Sequence, residues 1–273
     1  MVGLLLATAA CGGNLGHRSL IETSGRVPLA ADVRRVRFEI DNGTLGFDVA
    51  PAREVAYAGG VRRAADTEAG LAQLEQVPPG FAAAADPERP DTLVLRGPSL
   101  PDGIGALLGV EMGIHLPADV ELEVRVQGSG HVTVVNRGAA IRVDTGRGDL
   151  RFDNCNGALR AKTGRGHVIV VDHRGDVDVH TMIGDMQVFV REPGAQLRLT
   201  TGQGTVQCHV PAETAFDLDA RAEVGRIGSS FGLPVEKVGT YGSAMVGQRG
   251  AATTKLVLRT GSGHLSLQSK RFE

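Results

Sequence analysis

The sequence has no tryptophan, two tyrosines and eight phenylalanines in 273 residues. Bulky aromatic packing therefore cannot dominate its core. No charge of one sign prevails: the formal net charge of −2 gives no basis for a polyanion partner such as nucleic acid. Three cysteines are too few for a disulfide framework. Apolar residues at helical spacing are scarce, and no apolar run reaches the ~20 residues that span a bilayer. What the chain has in abundance is glycine, 38 residues of it. These glycines follow no period of three and hydrophobic content is ordinary, so neither a collagen-like chain nor a disordered one fits. Many short strands of small aliphatics, with glycine at the turns, fit both excess and absence.

The first ten residues are apolar and small, ending Thr8-Ala9-Ala10, with Cys11 directly after them. This reads as a short export segment over 1–10, and the cysteine resembles the bacterial lipobox, in which a lipid is attached to that thiol. Thr8 stands where Leu is usual, and no Lys or Arg precedes the apolar run. The expectation is lipidation at Cys11, a polar tether over 11–28, and one domain over 29–273.

Self-similarity decides the architecture. Thr-Gly-x-Gly or a close variant recurs along the chain, its second glycine at 130, 148, 166, 184, 204 and 263. The first three steps are 18 residues and the next is 20. The last gap holds an irregular unit near Gly225 and an insertion. A second glycine landmark, at 138, 157, 175 and 194, lies between these turns, so each unit is strand, turn, strand, turn. Alternation assigns one inner wall to Ile141/Leu159/Val177/Leu197 and Val143/Ala161/Val179/Leu199. The other wall takes Val132/Leu150/Val168/Met186/Val206/Leu265 and Val134/Phe152/Val170/Val188/Cys208/Leu267. Thr145, Thr163, Thr181, Thr201 and Thr260 share inward parity at the corner and read as a hydroxyl ladder serving turn backbone groups. Cys208 falls in an aliphatic row and Cys155 in a turn, so no disulfide is expected. The pattern extends backwards, with Gly43 at the anchor glycine and Leu45 and Phe47 at the inward pair. Residues 66–76 suggest a short helix capped by Asp66 or Thr67.

The expected fold is all-β: a single-stranded, β-helix-like, right-handed solenoid of 18–20-residue two-strand rungs, with a short helix inserted near the N-terminus. Residues 29–125 are its less regular part and 126–269 its regular repeats. A strand ending in Asn42-Gly43, the segment Leu116-Pro-Ala-Asp-Val-Glu-Leu-Glu-Val124 and the serial Thr-Gly-x-Gly units resemble the bacterial putative-adhesin domains of unknown function. The resemblance covers 33–269. It implies a β-helix-like fold and an envelope location, and it carries over no catalytic residue.

The residue after each anchor glycine forms a series, His131, Asp149, His167 and Asp185. Imidazole and carboxylate at rung spacing form either a hydrogen-bonded stripe or a ligand or metal edge. Adjacent rungs lie farther apart than two ligands of one tetrahedral ion prefer. Arg142, Arg160, Lys162 and Arg198 form an outward basic face suited to acidic glycans or lipid headgroups, interrupted by Asp144 and Asp178. Arg147-Gly148-Asp149 and Arg174-Gly175-Asp176 spell an integrin-recognition tripeptide, but each falls where the repeat already requires its glycine. No motif calls for a cofactor or a resident metal, and no nucleophile elbow or phosphate loop is present. The chain is thus expected to be a non-catalytic envelope adhesin or scaffold. Its expected partners are a cell-surface glycan or an envelope protein, with the membrane engaged through a lipid anchor only. A polysaccharide-acting enzyme and an envelope sensory domain are the alternatives.

Overall fold

The computed structural model describes residues 16–100 and 106–271. Cys11 and the export segment lie outside the described residues. In chain order the N-terminal elements are β1 (His17–Pro28), β2 (Arg35–Ile40), β3 (Gly43–Val49), β4 (Glu54–Ala65), α1 (Glu68–Glu75), β5 (Ala82–Ala85), β6 (Thr92–Arg96) and β7 (Ala106–Leu116). The repeats contain β8 (Glu121–Ser129), β9 (Val132–Val135), β10 (Ile141–Arg147), β11 (Leu150–Asp153), β12 (Leu159–Arg165), β13 (Val168–Ile183), β14 (Met186–Gln203) and β15 (Val206–Pro211). The C-terminal elements are β16 (Phe216–Val224), β17 (Ile227–Ser229), β18 (Glu236–Val238), β19 (Gly242–Arg249), β20 (Thr254–Ser262) and β21 (Leu265–Lys270). The fold is all-β with one short helix. Thr67 caps that helix by accepting the Gly70 N–H at 3.1 Å, and Leu74 pins it to the core.

Two walls of parallel strands face each other across a continuous apolar interior. The first wall runs β6–β2–β8–β10–β12, then through the second halves of β13 and β14 to β20 and β16. The second runs β7–β3–β9–β11, then through the first halves of β13 and β14 to β15, β21 and β17. Register follows the sequence repeat, with Ile141 opposite Leu159 and Leu150 opposite Val168. Every residue assigned inward by alternation is buried, Cys208 included. Cys155 and Cys208 are both free. Leu45 and Phe47 pair with Val132 and Val134, as the alignment at Gly43 requires.

Spatial order departs from chain order at both ends. The coil β2–β3 is held between the later β6–β7 and β8–β9. The final coil β20–β21 slots between β14–β15 and the earlier β16–β17. Antiparallel strands then close the ends: β4 and β1 beyond β7, β5 beyond β6, β19 and β18 beyond β16. The expected tether over 11–28 is corrected for its part from His17 on, residues 11–15 lying outside the described ones. From His17 to Pro28 the chain is a strand, in register with β4 from Ala65 to Glu54. Its alternate residues remain exposed, so backbone hydrogen bonds hold it more than an apolar face does.

The corner between the walls is built on stacked glycines. Gly148, Gly184, Gly204, Gly263 and Gly225 have φ of 132°, 150°, 147°, 147° and 146°, a region L-residues rarely enter. A Cβ on any of them would meet the glycine carbonyl oxygen of the neighbouring coil well inside 3.0 Å. Those carbonyls accept the threonine hydroxyls: Thr163 to Gly148 at 3.1 Å, Thr181 to Gly166 at 3.3 Å, Thr201 to Gly184 at 3.0 Å and Thr260 to Gly204 at 3.0 Å. Thr145 differs, bonding Arg147 O of its own turn at 3.0 Å. Ser243 on the closing strand β19 serves the Gly225 carbonyl at 2.9 Å. Gly184→Ala is therefore expected to lose at least about 2 kcal/mol in urea unfolding, through strained φ and backbone displacement. Gly46→Ala, where a Cβ meets nothing within 4 Å, should stay within about 0.5 kcal/mol of wild type. Equal losses would contradict the column.

Candidate functional site

Even-numbered residues of β10, β12 and the second halves of β13 and β14 project outward from the first wall, as do odd-numbered residues of β2 and β8. One outward row reads Arg37, Glu123, Arg142, Arg160, Asp178 and Arg198, each paired with the next across adjacent strands. The row beside it reads Glu39, Arg125, Asp144, Lys162, His180 and Thr200. The four expected basic residues are thus brought to one face. Arg142 and Arg160 lie side by side, Lys162 is beside Arg160 on the next row, and Arg198 lies beyond Asp178.

Toward the N-terminal end the same face is covered. The segment after β5 folds over it, so Arg37, Glu123 and Asp86 are buried although alternation points the first two outward. Arg37 pairs with Asp86 at 2.8 Å and Glu123 at 3.0 Å, and Arg125 reaches Glu123 at 2.7 Å. Burial alone would raise the Glu123 carboxyl, but the Arg37 and Arg125 hydrogen bonds outweigh it and hold the group below its ordinary value. The Glu88 backbone N–H does most to lower the Asp86 carboxyl, against a smaller opposing effect of burial and with help from Arg37. Arg89 follows on this segment, in a turn closed by Arg89 N to Asp86 O at 3.3 Å and Thr92 N to Arg89 O at 2.9 Å.

Between this cover and the first regular coils lies a hollow of about 400 Å³ lined by Arg35, Arg89, Glu121, Arg142 and Arg160, with Ala140 and Ala158 among its small residues. A shallower hollow of about 180 Å³ shares Arg142 and Arg160 and continues to Lys162, Asp144, Asp178 and His180. A wider groove of about 840 Å³ lies on the second wall, lined by Gly46, Gly60 and Gly113 and by the Arg62–Glu111 ion pair.

The His/Asp series does line one edge, and its partners explain the letters. The Asp149 N–H donates to His131 Nδ1 at 3.2 Å and the His167 N–H to Asp149 Oδ1 at 2.8 Å. The Asp185 N–H donates to His167 Nδ1 at 3.2 Å and the Thr205 N–H to Asp185 Oδ1 at 2.7 Å. Each side chain accepts the N–H of its successor one coil on. An imidazole with its proton on Nε2 and a carboxylate both qualify as acceptors, and a cation does not. Among the described residues no group of three or more His, Cys, Asp or Glu is placed to hold a metal. Both Arg-Gly-Asp tripeptides use their aspartates the same way, with Asp176 Oδ1 accepting the Gln196 N–H at 3.0 Å.

Arg137, Cys155 and His173 form a buried polar file at the opposite corner, again at 18-residue spacing, each following a left-handed residue: Asn136, Asn154 and Asp172 at φ 58°, 49° and 52°. Arg137 donates to the carbonyls of Leu116, at 2.9 Å, and of Pro117 and Val120. Burial lowers its pKa to about 10, which leaves it charged at neutral pH. Burial likewise lowers the His173 imidazole, raises the Cys155 thiol and pushes the Cys208 thiol up to about 12, so both thiols are poor nucleophiles. The sequence reading missed Arg89, the cover over Arg37, and this file. The 18-residue spacing of 137, 155 and 173 was its only signal.

The family model of Toastrack DUF4097 matches residues 118–268, more than half of the chain. The chain belongs to the Toastrack DUF4097 family. The resemblance drawn from the Thr-Gly-x-Gly units agrees with this. No curated protein matches the chain. Similar solved structures include a putative cell adhesion protein from Clostridium sporogenes, 13% identical with a TM-score of 0.39, covering 92% of this chain and 100% of that one. A putative adhesin from Bacteroides fragilis is 9% identical with a TM-score of 0.33, covering 92% and 97% respectively. In this Toastrack chain the match spans the regular coils and the returning β20–β21, but excludes the cover that carries Arg89.

The buried charge cluster gives a pH signature. Glu123 and Asp86 have depressed folded values, against ordinary values of 4.5 and 3.8, so in acid the unfolded chain binds more protons than the folded one. Their contribution is whole above about pH 5 and is lost as pH falls from there through the depressed folded values. Thermal melts of wild type and Glu123→Gln should converge as pH falls from about 6 to about 3, because the wild type has more to lose. Curves that stay parallel across that range would contradict the assignment.

Proposed function

We propose that the stacked coils are a right-handed β-solenoid of two-strand rungs, exported to the cell envelope, lipid-anchored at Cys11, and working as a non-catalytic adhesin or binding scaffold. The partner is a cell-surface glycan or an envelope protein. The observation that carries this reading is the division of labour within each repeat. Inward residues and corner acceptors are consumed in joining coil to coil, while the outward rows stay exposed as a ruled array of side chains on a rigid frame. Such an array suits an extended ligand that contacts several coils, as the outer surfaces of stacked repeats commonly do.

The test is a binding screen of the purified full chain against envelope fractions and a glycan array. Saturable retention by an envelope component, with no loss of chain length in the bound glycan, is expected. Cleavage of a polysaccharide, or retention by nothing in the envelope, would contradict the proposal. The anchor is tested separately by growing cells with a fatty-acid analogue. Label should enter the protein and vanish in Cys11→Ser, and label that survives the substitution, or never enters, refutes lipidation.

A further inference from the structure

Across β10 and β12, Arg142 and Arg160 are direct cross-strand partners, and like charges placed this way repel. The neighbouring outward arginines are compensated: Arg35 by Glu121 at 2.8 Å, Arg37 by Asp86 and Glu123, Arg125 by Glu123, and Arg96 by Glu39 at 3.1 Å. Acids also flank the pair, Glu123 opposite Arg142 and Asp178 opposite Arg160, but Glu123 is engaged by Arg37 and Arg125. Among the described residues no ion pair or side-chain hydrogen bond engages Arg142, Arg160 or Arg89. These three guanidiniums line one hollow of about 400 Å³, together with the Arg35–Glu121 pair and the already engaged Glu123.

The hollow is built by features that a merely solvated face does not require. Ala140 and Ala158 occupy the outward position just before their strands, where the following coils carry Asp176 and Gln196, and the small side chains leave room. Arg89 is brought over the coils by a short turn, itself fastened through the buried Arg37–Asp86 pair. The second hollow extends the same line past Arg142 and Arg160 to Lys162. A net charge of −2 for the whole chain conceals this local excess.

We propose that this groove binds an acidic polysaccharide, with carboxylate or sulfate groups seated between Arg89, Arg142 and Arg160; this rests on the envelope-binding reading above and names its ligand class. Guanidinium forks recognise carboxylate and sulfate through paired charge-assisted hydrogen bonds. Cations repeated on neighbouring strands about 4.8 Å apart suit anions repeated along a chain. The acids lining the two hollows, Glu121, Glu123, Asp144 and Asp178, oppose the dense charge of nucleic acid more than the sparser charge of a uronic-acid polymer. The large exposed hydrophobics, including Leu20, Met182, Tyr241 and Val246, all lie outside the groove, which disfavours a lipid surface.

The full chain is tested against immobilised polygalacturonate and heparin, with dextran, duplex DNA and phosphatidylglycerol vesicles as comparisons. Binding to at least one acidic polysaccharide, weakening as salt is raised, is expected. Arg142→Glu/Arg160→Glu should weaken it by about tenfold or more, and Arg198→Glu, outside the hollow, by less than about twofold. Both sites are exposed, and the milder Arg142→Gln/Arg160→Gln pair, with unchanged melting, guards against a folding defect. Polysaccharide binding that the double variants leave intact overturns the groove. Equal or stronger binding to DNA or vesicles overturns the ligand class. Binding to an envelope protein or neutral glycan without polygalacturonate or heparin overturns this inference and leaves the envelope-binding reading standing, whereas retention by no envelope component removes both.

Discussion

Each coil rests on its neighbour through a glycine carbonyl that occupies the space where a side chain would otherwise begin. The oxygen of Gly148, for example, fills the Cβ position of Gly166 and also accepts the Thr163 hydroxyl at 3.1 Å. Close approach, positive φ and a satisfied acceptor are therefore one constraint. Once the corners are held this tightly, both walls must keep the same register, and the apolar rows fall into continuous columns. The edge series beside it follows from the same geometry, since an acceptor side chain at 131, 149, 167 and 185 meets the next coil's N–H.

A stack of this kind ends in exposed strand edges, which invite pairing with other chains. Both ends handle the problem alike. The chain runs outward past its own first coil and returns, leaving β2–β3 inside, and it does the mirror of this with β20–β21. Antiparallel strands then cover the outermost coils. Ser243 extends the glycine column from such a strand, its hydroxyl serving the Gly225 carbonyl of the outermost coil.

The inner rows were legible in the sequence because glycine spacing fixes the register and alternation fixes the face. That sufficed to place Leu45, Phe47 and Cys208 correctly. The order of the end coils was not legible: periodicity says that Gly225 and Gly263 each belong to a coil, and only long-range pairing decides which lies nearer Gly204. The strand His17–Pro28 was hidden for another reason, since a stretch held by backbone bonds needs no apolar alternation. On the candidate surface, parity brought Arg142, Arg160, Lys162 and Arg198 to one face. It could not foresee that a loop without any period would bury Arg37 and Glu123 and set Arg89 beside Arg142 and Arg160.

That surface depends on the stack, because Arg142 and Arg160 face one another only while β10 and β12 are locked in register. The return of the C-terminal coil carries the glycine column between the coil of Gly204 and that of Gly225, with Gly204 N bonded to Ser262 O at 2.9 Å and Gly263 N to Val224 O at 2.9 Å. Amide hydrogen–deuterium exchange tests it most directly. The account predicts that residues 256–267, although near the C-terminus, are protected as strongly as the interior coil 159–170. Rapid exchange over 256–267, as in a frayed terminal strand, with slow exchange retained in 216–224, would contradict it.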